Sequence, residues 1–212
     1  MTQSVSEQSA SLPSADHARE RYVRYARGRR THFWKRQILT LIGSSYLGLM
    51  ASPIIGLISG IIAVVGELID CGNLGVQLKA LERGRALHAV SVRSSTTAAL
   101  QAVSISLCII LAWFSPNGET GRHFALVFLM SATLNAGLVW PYHKPSAIAR
   151  MLVYVLTLIG MMTHQILTWD AGISAYMSEA ISIILMCYLV VIILKYVFGS
   201  DKRQIRSARK IH

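Results

Sequence analysis

Long stretches without charged residues dominate this chain and limit what it can fold into. The first is thirty residues long, 37–66, and four more cover 96–117, 123–143, 151–169 and 180–194. A helix that crosses a hydrocarbon core of roughly 30 Å needs about 20 mostly apolar residues, so each run is a candidate membrane span. Only 15% of the residues are charged, against about 25% in a soluble domain. The sequence therefore predicts an all-α, polytopic membrane bundle.

The first run does not show by itself how many times it crosses. As a single helix it would measure about 45 Å, long for one span and short for two. Its middle holds Ser52-Pro53, where proline removes a backbone donor and disfavours helix in the residue before it. The run is a single kinked helix, a hairpin of two short spans or a re-entrant loop.

The distribution of positive charge favours the hairpin. Of the 21 Lys and Arg residues, 20 lie in four segments, namely 1–36, 71–95, 141–150 and the tail from 195 onward. The positive-inside rule puts these segments in the cytoplasm, so the first run must cross an even number of times. We expect six spans with both termini cytoplasmic in a bacterial inner membrane, at about 38–50, 53–69, 96–114, 123–140, 151–168 and 178–197. Four full spans plus a re-entrant hairpin within 37–70 satisfy the same charges.

The segments outside the spans receive simpler predictions. Residues 1–16 are Ser-rich without apolar periodicity and predict disorder, and 71–93 predicts a loop with a short helix around 76–87. Residues 17–36 predict a basic helix on anionic lipid, and 198–212 a basic tail. The candidate lipid and topology anchors are Arg24, Arg27, Arg29, Arg30, Trp34, Lys35 and Arg36. Nucleic-acid binding by these arginines is the alternative, rejected because they adjoin a span.

Glu67 and Asp70 are the acids nearest to the centre of a predicted span. At positions i and i+3 they share one helical face, and they lie at a helix C-terminus, where negative charge is unfavourable. They therefore need a cationic partner, which could be Lys79 or an N-terminal arginine. A structural ion pair and a switch are both compatible with the pattern, since ionisable groups in spans are often functional.

Uncharged polar and small residues recur within the predicted spans. The polar set predicts hydrogen bonds between helices or the lining of a small-ligand cavity; it comprises Gln101, Ser104, Ser131, Asn135, His164 and Gln165. The small residues Ser52, Gly56 and Gly60 are spaced by four, which lets two helices approach closely. Ser44 and Gly48 form a second such pair.

Signatures of catalysis, metals and cofactors are missing from the chain. The three cysteines have no metal or redox spacing, and no nucleotide-binding loop or nucleophile elbow occurs. A haem held by His123 and His164 is conceivable, but interfacial or hydrogen-bonded histidines are the simpler interpretation. We predict no metal, no cofactor and no enzymatic activity.

Three short motifs resemble the N-terminal multi-span input region of bacterial sensor histidine kinases, particularly hybrid ones. They are RYARGRRTHFWKRQ before the hairpin, LMASP at its bend and GELID at the end of the second span. The likeness covers roughly 17–205 and implies a sensory bundle whose last span leads to a signalling helix. Because no phosphoacceptor or ATP-binding region precedes His212, we expect a free-standing or truncated module without kinase activity.

Three functions fit the sequence. The leading hypothesis is a sensory or regulatory membrane module that binds a ligand or a signalling partner. The alternatives are a structural or assembly subunit of a larger membrane complex and a small-solute transporter. A homo-oligomer fits each of them, and the sequence identifies no ligand or partner.

Overall fold

The computed structural model describes residues 4–115 and 118–168, together with single helical positions at 181, 184, 188, 191 and 195. Every regular element in these ranges is a helix, which confirms the all-α prediction. The helices are α1 (Ser4–Thr31), α2 (Phe33–Met50), α3 (Pro53–Glu82), α4 (Leu87–Trp113), α5 (Gly118–Val139) and α6 (Lys144–Thr168).

Four of the described helices are long and apolar enough to cross a membrane, which supports the prediction of a membrane protein. They are α3, α4, α5 over Gly121–Val139 and α6 over Lys144–Leu167. The shorter α2 is not one of these four. The predicted last span, 178–197, lies outside the described residues except at the five single positions. The number of six spans is therefore not established.

The first apolar run forms a hairpin of two helices and not a single kinked helix. α2 ends at Met50, and Pro53 stands in the first turn of α3, where its missing N–H leaves no hydrogen bond unmade. Arg36, near the start of α2, donates a hydrogen bond to Glu67 at the middle of α3. The chain thus returns to the end of the bundle from which α2 starts.

The predicted loop at 71–93 is largely helical. α3 continues without interruption to Glu82, and a tight turn over 83–86, in which Gly84 has φ +84°, leads directly into α4. The separate helix predicted around 76–87 is therefore wrong. The reason is packing: Leu74, Leu78 and Leu81 extend the buried stripe of α3 at helical spacing beyond its most apolar part.

The disorder of 1–16 stays a prediction; the helix α1 begins within that segment, at Ser4. Its second half packs against the bundle and buries Tyr22, Tyr25 and Ala26. A helix that is already nucleated by packing extends into a neighbouring polar segment at little further free-energy cost.

Two apolar cores hold the helices together. The larger one joins α4, α5 and α6 around Ile105, Ile109 and Leu129, with Leu47 and Ala63 from the hairpin. The smaller one joins Tyr22 and Tyr25 of α1 to Leu74 of α3 and Val90 of α4, with Val139 and Ala147 nearby. We call this end of the bundle, which contains α1 and the turns at 83–86 and 140–143, the basic end.

Candidate functional site

Five charged side chains from four helices meet at the basic end. Arg29 comes from α1, Arg36 from α2, Glu67 and Asp70 from α3, and Arg150 from α6. Four of these side chains are at most 6% exposed and Arg36 is 18% exposed. We call these five residues the ion-pair cluster.

Glu67 binds Arg29 of α1 and Arg36 of α2. Arg36 donates from Nε to Glu67 Oε1 over 2.7 Å, and Arg29 donates from Nη2 to the same oxygen over 3.1 Å. Arg36 also donates to the backbone carbonyl of Arg29. The junction of α1 and α2 is therefore fastened to α3 by side-chain ion pairs, while the contact with the Arg29 carbonyl ties α1 and α2 to each other.

Asp70 links the same junction to the rest of the bundle. Its Oδ2 accepts hydrogen bonds from Arg150 Nη2 at 2.7 Å and from Arg29 Nη2 at 3.0 Å, while the Thr97 hydroxyl donates to Oδ1 at 3.2 Å. Thr97 belongs to α4. Asp70 thus joins α1, α3, α4 and α6 at one fully buried carboxylate.

Local geometry explains why these residues converge. Glu67 and Asp70 are one helical turn apart on α3, so both face the same side. Arg29 and Arg36 lie about two turns apart, and backbone bonds from His32 to Gly28 and from Arg36 to His32 keep the chain nearly helical across the junction. Both guanidinium groups therefore reach the acidic face of α3.

The cluster carries three positive and two negative charges. Burial alone would lower the pKa of Arg29, but the charges of Glu67 and Asp70 outweigh it and raise that pKa above its usual range. Three guanidinium atoms have no hydrogen-bond partner in the part of the chain that the structure describes: Nε of Arg29 and both Nε and Nη1 of Arg150. The cluster therefore carries a net positive charge, and some of its hydrogen-bond donors are unpaired within the described residues.

The sequence predicted part of this site, namely Glu67 and Asp70 with an N-terminal arginine as their partner. The alternative partner, Lys79, is not in the cluster. The sequence did not predict Arg150, which is 80 positions from Asp70 in the chain. Arg150 is the last base before the fourth predicted apolar run, and this position was the only signal that could have singled it out.

The predicted lipid anchors divide into two groups. Arg29 and Arg36 belong to the cluster. Arg29 is only 6% exposed, so it cannot contact lipid headgroups, contrary to the prediction. Trp34 is 75% exposed, as an interfacial anchor requires, and Arg24 is exposed and paired with Glu20. For Arg27, Arg30 and Lys35 the anchoring role stays a prediction.

The predicted bundle-lining polar residues do not line one cavity. Gln101 and Gln165 are buried and Ser104 is half-buried. Ser131, Asn135 and His164 are exposed, and His164 contacts the edge of Phe114 with ring centroids 4.7 Å apart. Because Ser131, Asn135 and His164 lie on the outer surface of α5 and α6, they cannot share an internal cavity with the buried Gln101.

Two of the small residues lie where the helices of the hairpin come closest. A Cβ atom on Gly56 would lie 2.5 Å from both the Gly48 Cα and the Ser44 carbonyl oxygen. A Cβ on Gly60 would lie 3.1 Å from the Ser44 hydroxyl. Ser52 stands just before α3, in the bend itself. The close contact therefore depends on Gly56 first and on Gly60 second.

Among the described residues, no three His, Cys, Asp or Glu side chains come together as metal ligands. His123 and His164, considered for haem, are both exposed. The absence of a metal or cofactor stays a prediction.

A buried histidine that the sequence analysis missed lies beside the cluster. His143 is 6% exposed, and its two ring nitrogens lie 2.8 Å from the Ser91 hydroxyl and 2.7 Å from the Ser146 hydroxyl. Its ring stacks on Tyr25 with centroids 5.0 Å apart, and Tyr25 accepts a long hydrogen bond, 3.5 Å, from Arg150. Burial and the charge of Arg150 lower the pKa of His143 to about 4.

This shift predicts that acid weakens the basic end. Because the pKa of His143 is lower in the folded protein than the value near 6.5 of an unfolded chain, the unfolded state binds the extra proton first. The contribution of the neutral ring is present above pH 6.5 and is lost as the pH falls towards 4. We expect the thermal unfolding temperature in neutral detergent to drop between pH 7.5 and pH 5, and to drop less in His143→Asn.

The exposed His88 provides the control for this experiment, because His88→Asn removes a histidine from the same end of the bundle. If the unfolding temperatures of His143→Asn and the wild type fall by the same amount between the two pH values, protonation of His143 does not cause the loss of stability in acid.

The chain matches no family model, no curated protein and no solved structure.

Proposed function

We propose that this protein is a sensory or regulatory membrane module in which the ion-pair cluster couples the membrane helices to α1. One observation carries the proposal: the arginines that hold α1 and α2 are bound by acids of α3, and Asp70 is bound in turn by Arg150 of α6. A movement of α6 against α3 therefore changes the hold on α1.

Energetics favour a coupling role over a purely stabilising one. Desolvation offsets most of the attraction within a buried ion pair, and apolar side chains of similar volume often stabilise a fold as well or better. Arg29 Nη2 is shared between Glu67 and Asp70, and three guanidinium atoms of the cluster are unbonded within the described residues. Such a network can exchange partners, as a two-state element requires.

The topology completes the proposal. We place the chain in a bacterial inner membrane with six spans and with both termini in the cytoplasm, since 20 of its 21 basic residues lie in four segments. α1 is then cytoplasmic and available to a signalling partner. The likeness of RYARGRRTHFWKRQ, LMASP and GELID to the input regions of sensor histidine kinases supports the same role.

The first test is whether the cluster holds α1. In Glu67→Gln/Asp70→Asn the three arginines lose both carboxylates, so we expect α1 to detach and its arginines to be cut by trypsin at least tenfold faster. Membrane vesicles with the cytoplasmic face outward keep the rest of the fold in place. Cleavage is followed by mass spectrometry.

The matched control is Glu20→Gln/Glu82→Gln, which removes two exposed carboxylates outside the cluster. Its cleavage rate should stay within twofold of the wild type. Equal rates in all three proteins would mean that the apolar contacts of Tyr22 and Tyr25 alone hold α1.

The second test addresses regulation in the organism that encodes the chain. Deletion followed by complementation with the wild type, the cluster variant or the control should change and then restore a transcript profile. We expect the cluster variant to insert normally and to leave the profile altered. If the cluster variant fully restored the transcript profile, the proposed switch would be contradicted.

The assembly-subunit hypothesis has one observation in its favour. Ser131 and Asn135 are exposed one turn apart on α5, beside exposed Leu138. Polar side chains on a span usually face another helix and not lipid. Purification in mild detergent discriminates, since a stoichiometric complex with other proteins supports assembly and a monomer or dimer opposes it.

A further inference from the structure

A cavity of about 260 Å³ opens at the basic end between α1, the start of α4 and the turn before α6. The lining residues that could bind a ligand are Arg21, Tyr22, Ser91, Tyr142, His143 and Lys144. We call it the basic-end pocket. It is separate from the ion-pair cluster, none of whose members lines it.

Two unneutralised cations point to the chemistry of its ligand. Arg21 and Lys144 approach the pocket from different helices, and no carboxylate lines it. Neither side chain forms an ion pair with any residue that the structure describes, whereas the neighbouring Arg24 is bound to Glu20 at 2.6 Å. Two free cations facing one small cavity attract an anion.

A hydrogen-bond donor, the Ser91 hydroxyl, also lines the pocket. The Ser91 hydroxyl lies 2.8 Å from His143 Nε2, and the neutral ring holds one proton. With that proton on Nε2, the imidazole donates to Ser91 and leaves the hydroxyl hydrogen free for a ligand oxygen. The other ring nitrogen contacts Ser146, outside the pocket lining.

The position and the volume of the pocket further restrict which anions it could bind. It adjoins the first turn of α6, where the helix dipole favours negative charge, and it lies at the ends of candidate spans, which is where a membrane would place its headgroups. Its volume is below the 300–1,000 Å³ that is typical of whole-ligand sites, so it admits a phosphate group with a few attached atoms.

We propose that the basic-end pocket binds a phosphate-bearing anion through Arg21, Lys144 and the Ser91 hydroxyl. The same phosphate chemistry could come from an anionic glycerophospholipid or from a soluble phosphomonoester. Arginine and lysine are both common phosphate ligands, and the hydroxyl donates to a third oxygen.

The pocket adjoins the cluster through one aromatic contact and one hydrogen bond. His143 stacks on Tyr25, and Tyr25 accepts a hydrogen bond from Arg150. An anion in the pocket therefore acts on the side chain that connects to Asp70. This second step rests on the proposed coupling function, whereas the binding site itself does not.

The experiment measures the unfolding temperature of the full chain in neutral detergent during titration with three compounds. Dihexanoyl phosphatidylglycerol presents an anionic lipid headgroup, glycerol 3-phosphate presents the soluble phosphate, and dihexanoyl phosphatidylcholine is the zwitterionic control. A ligand at tenfold excess over its Kd should raise the unfolding temperature by about 5 °C.

Variants assign the effect to the pocket. Arg21→Gln/Lys144→Gln should weaken binding at least tenfold, and Arg21→Lys/Lys144→Arg should retain it. Lys79→Gln/Arg83→Gln removes two exposed charges elsewhere at the basic end and should bind like the wild type. Ser91→Ala keeps both charges and should weaken binding severalfold, which provides a second measure if the double variant folds poorly.

The outcomes separate the two sources from failure. A shift with phosphatidylglycerol alone identifies a lipid headgroup site, and a shift with glycerol 3-phosphate identifies a soluble ligand. No shift with either anion, or equal shifts in the wild type and Arg21→Gln/Lys144→Gln, would overturn the site. If an anion bound without any change in trypsin cleavage of α1, the binding site would be supported and only its proposed coupling to the cluster would be contradicted.

Discussion

Replacing Asp70 with asparagine is expected to destabilise the protein by about 3–5 kcal/mol, as removal of one partner from a buried ion pair usually does. Asp70 is 0% exposed and accepts hydrogen bonds from Arg29, Arg150 and Thr97. Without its charge the cluster holds three cations, two of them buried, against Glu67 alone. The free energy of unfolding in mixed micelles, measured by denaturant titration, gives this value directly.

Three further variants, Arg150→Met, its combination with Asp70→Asn and a control, show whether the loss arises from the unpaired charge. Arg150→Met/Asp70→Asn removes one cation together with the acid, so its loss should be smaller than the sum of the two single losses. Glu82→Gln changes an exposed acid on the same helix and should stay within about 0.5 kcal/mol of the wild type. Additive single losses would show that Asp70 and Arg150 do not interact energetically.

Replacing Gly56 with alanine is expected to destabilise the α2–α3 hairpin by about 1–3 kcal/mol. The added Cβ would stand 2.5 Å from backbone atoms of Gly48 and Ser44, which cannot rotate away as a side chain can. The two helices must move apart to admit it and lose contacts along their length. The same denaturant titration measures this effect.

Gly72 provides the control on the same helix. A Cβ there meets nothing within 4 Å, so Gly72→Ala should be neutral or should stabilise α3 by about 0.5–1 kcal/mol through its higher helix propensity. If both alanine variants were equally stable, the close approach at Gly56 would not limit the packing of the hairpin.

The sequence predicted the features that depend on local pattern. Apolar runs indicated the helical membrane class, Ser52-Pro53 with the charge distribution indicated the hairpin, and the i, i+3 acids indicated a need for cations. Each of these follows from spacing within one element or from the side of the membrane that basic residues prefer.

The features that the sequence did not predict depend on tertiary packing. Arg150 meets Asp70 because α6 packs beside α3, and no pattern within α6 encodes that neighbour. Likewise, His143 and Tyr25 are far apart in the chain, and their stacking requires α1 to lie on the bundle and not on lipid. The spacing of Tyr22, Tyr25 and Ala26 places them on one helical face, but the residues that this face contacts depend on how the bundle packs.

The two uncharged stretches of the hairpin are short, and this has a consequence for the surrounding lipid. On each side of the bend, 14 uncharged residues, 37–50 and 53–66, span about 21 Å as helix, against a hydrocarbon core of about 30 Å. The Arg36–Glu67 contact joins the charged ends of these two stretches, although α3 itself continues to Glu82, so the hairpin cannot slide to even out the difference. With that contact at the headgroup boundary, a thicker bilayer strains the pair and a thinner bilayer relaxes it, because hydrophobic mismatch acts along the helix axis.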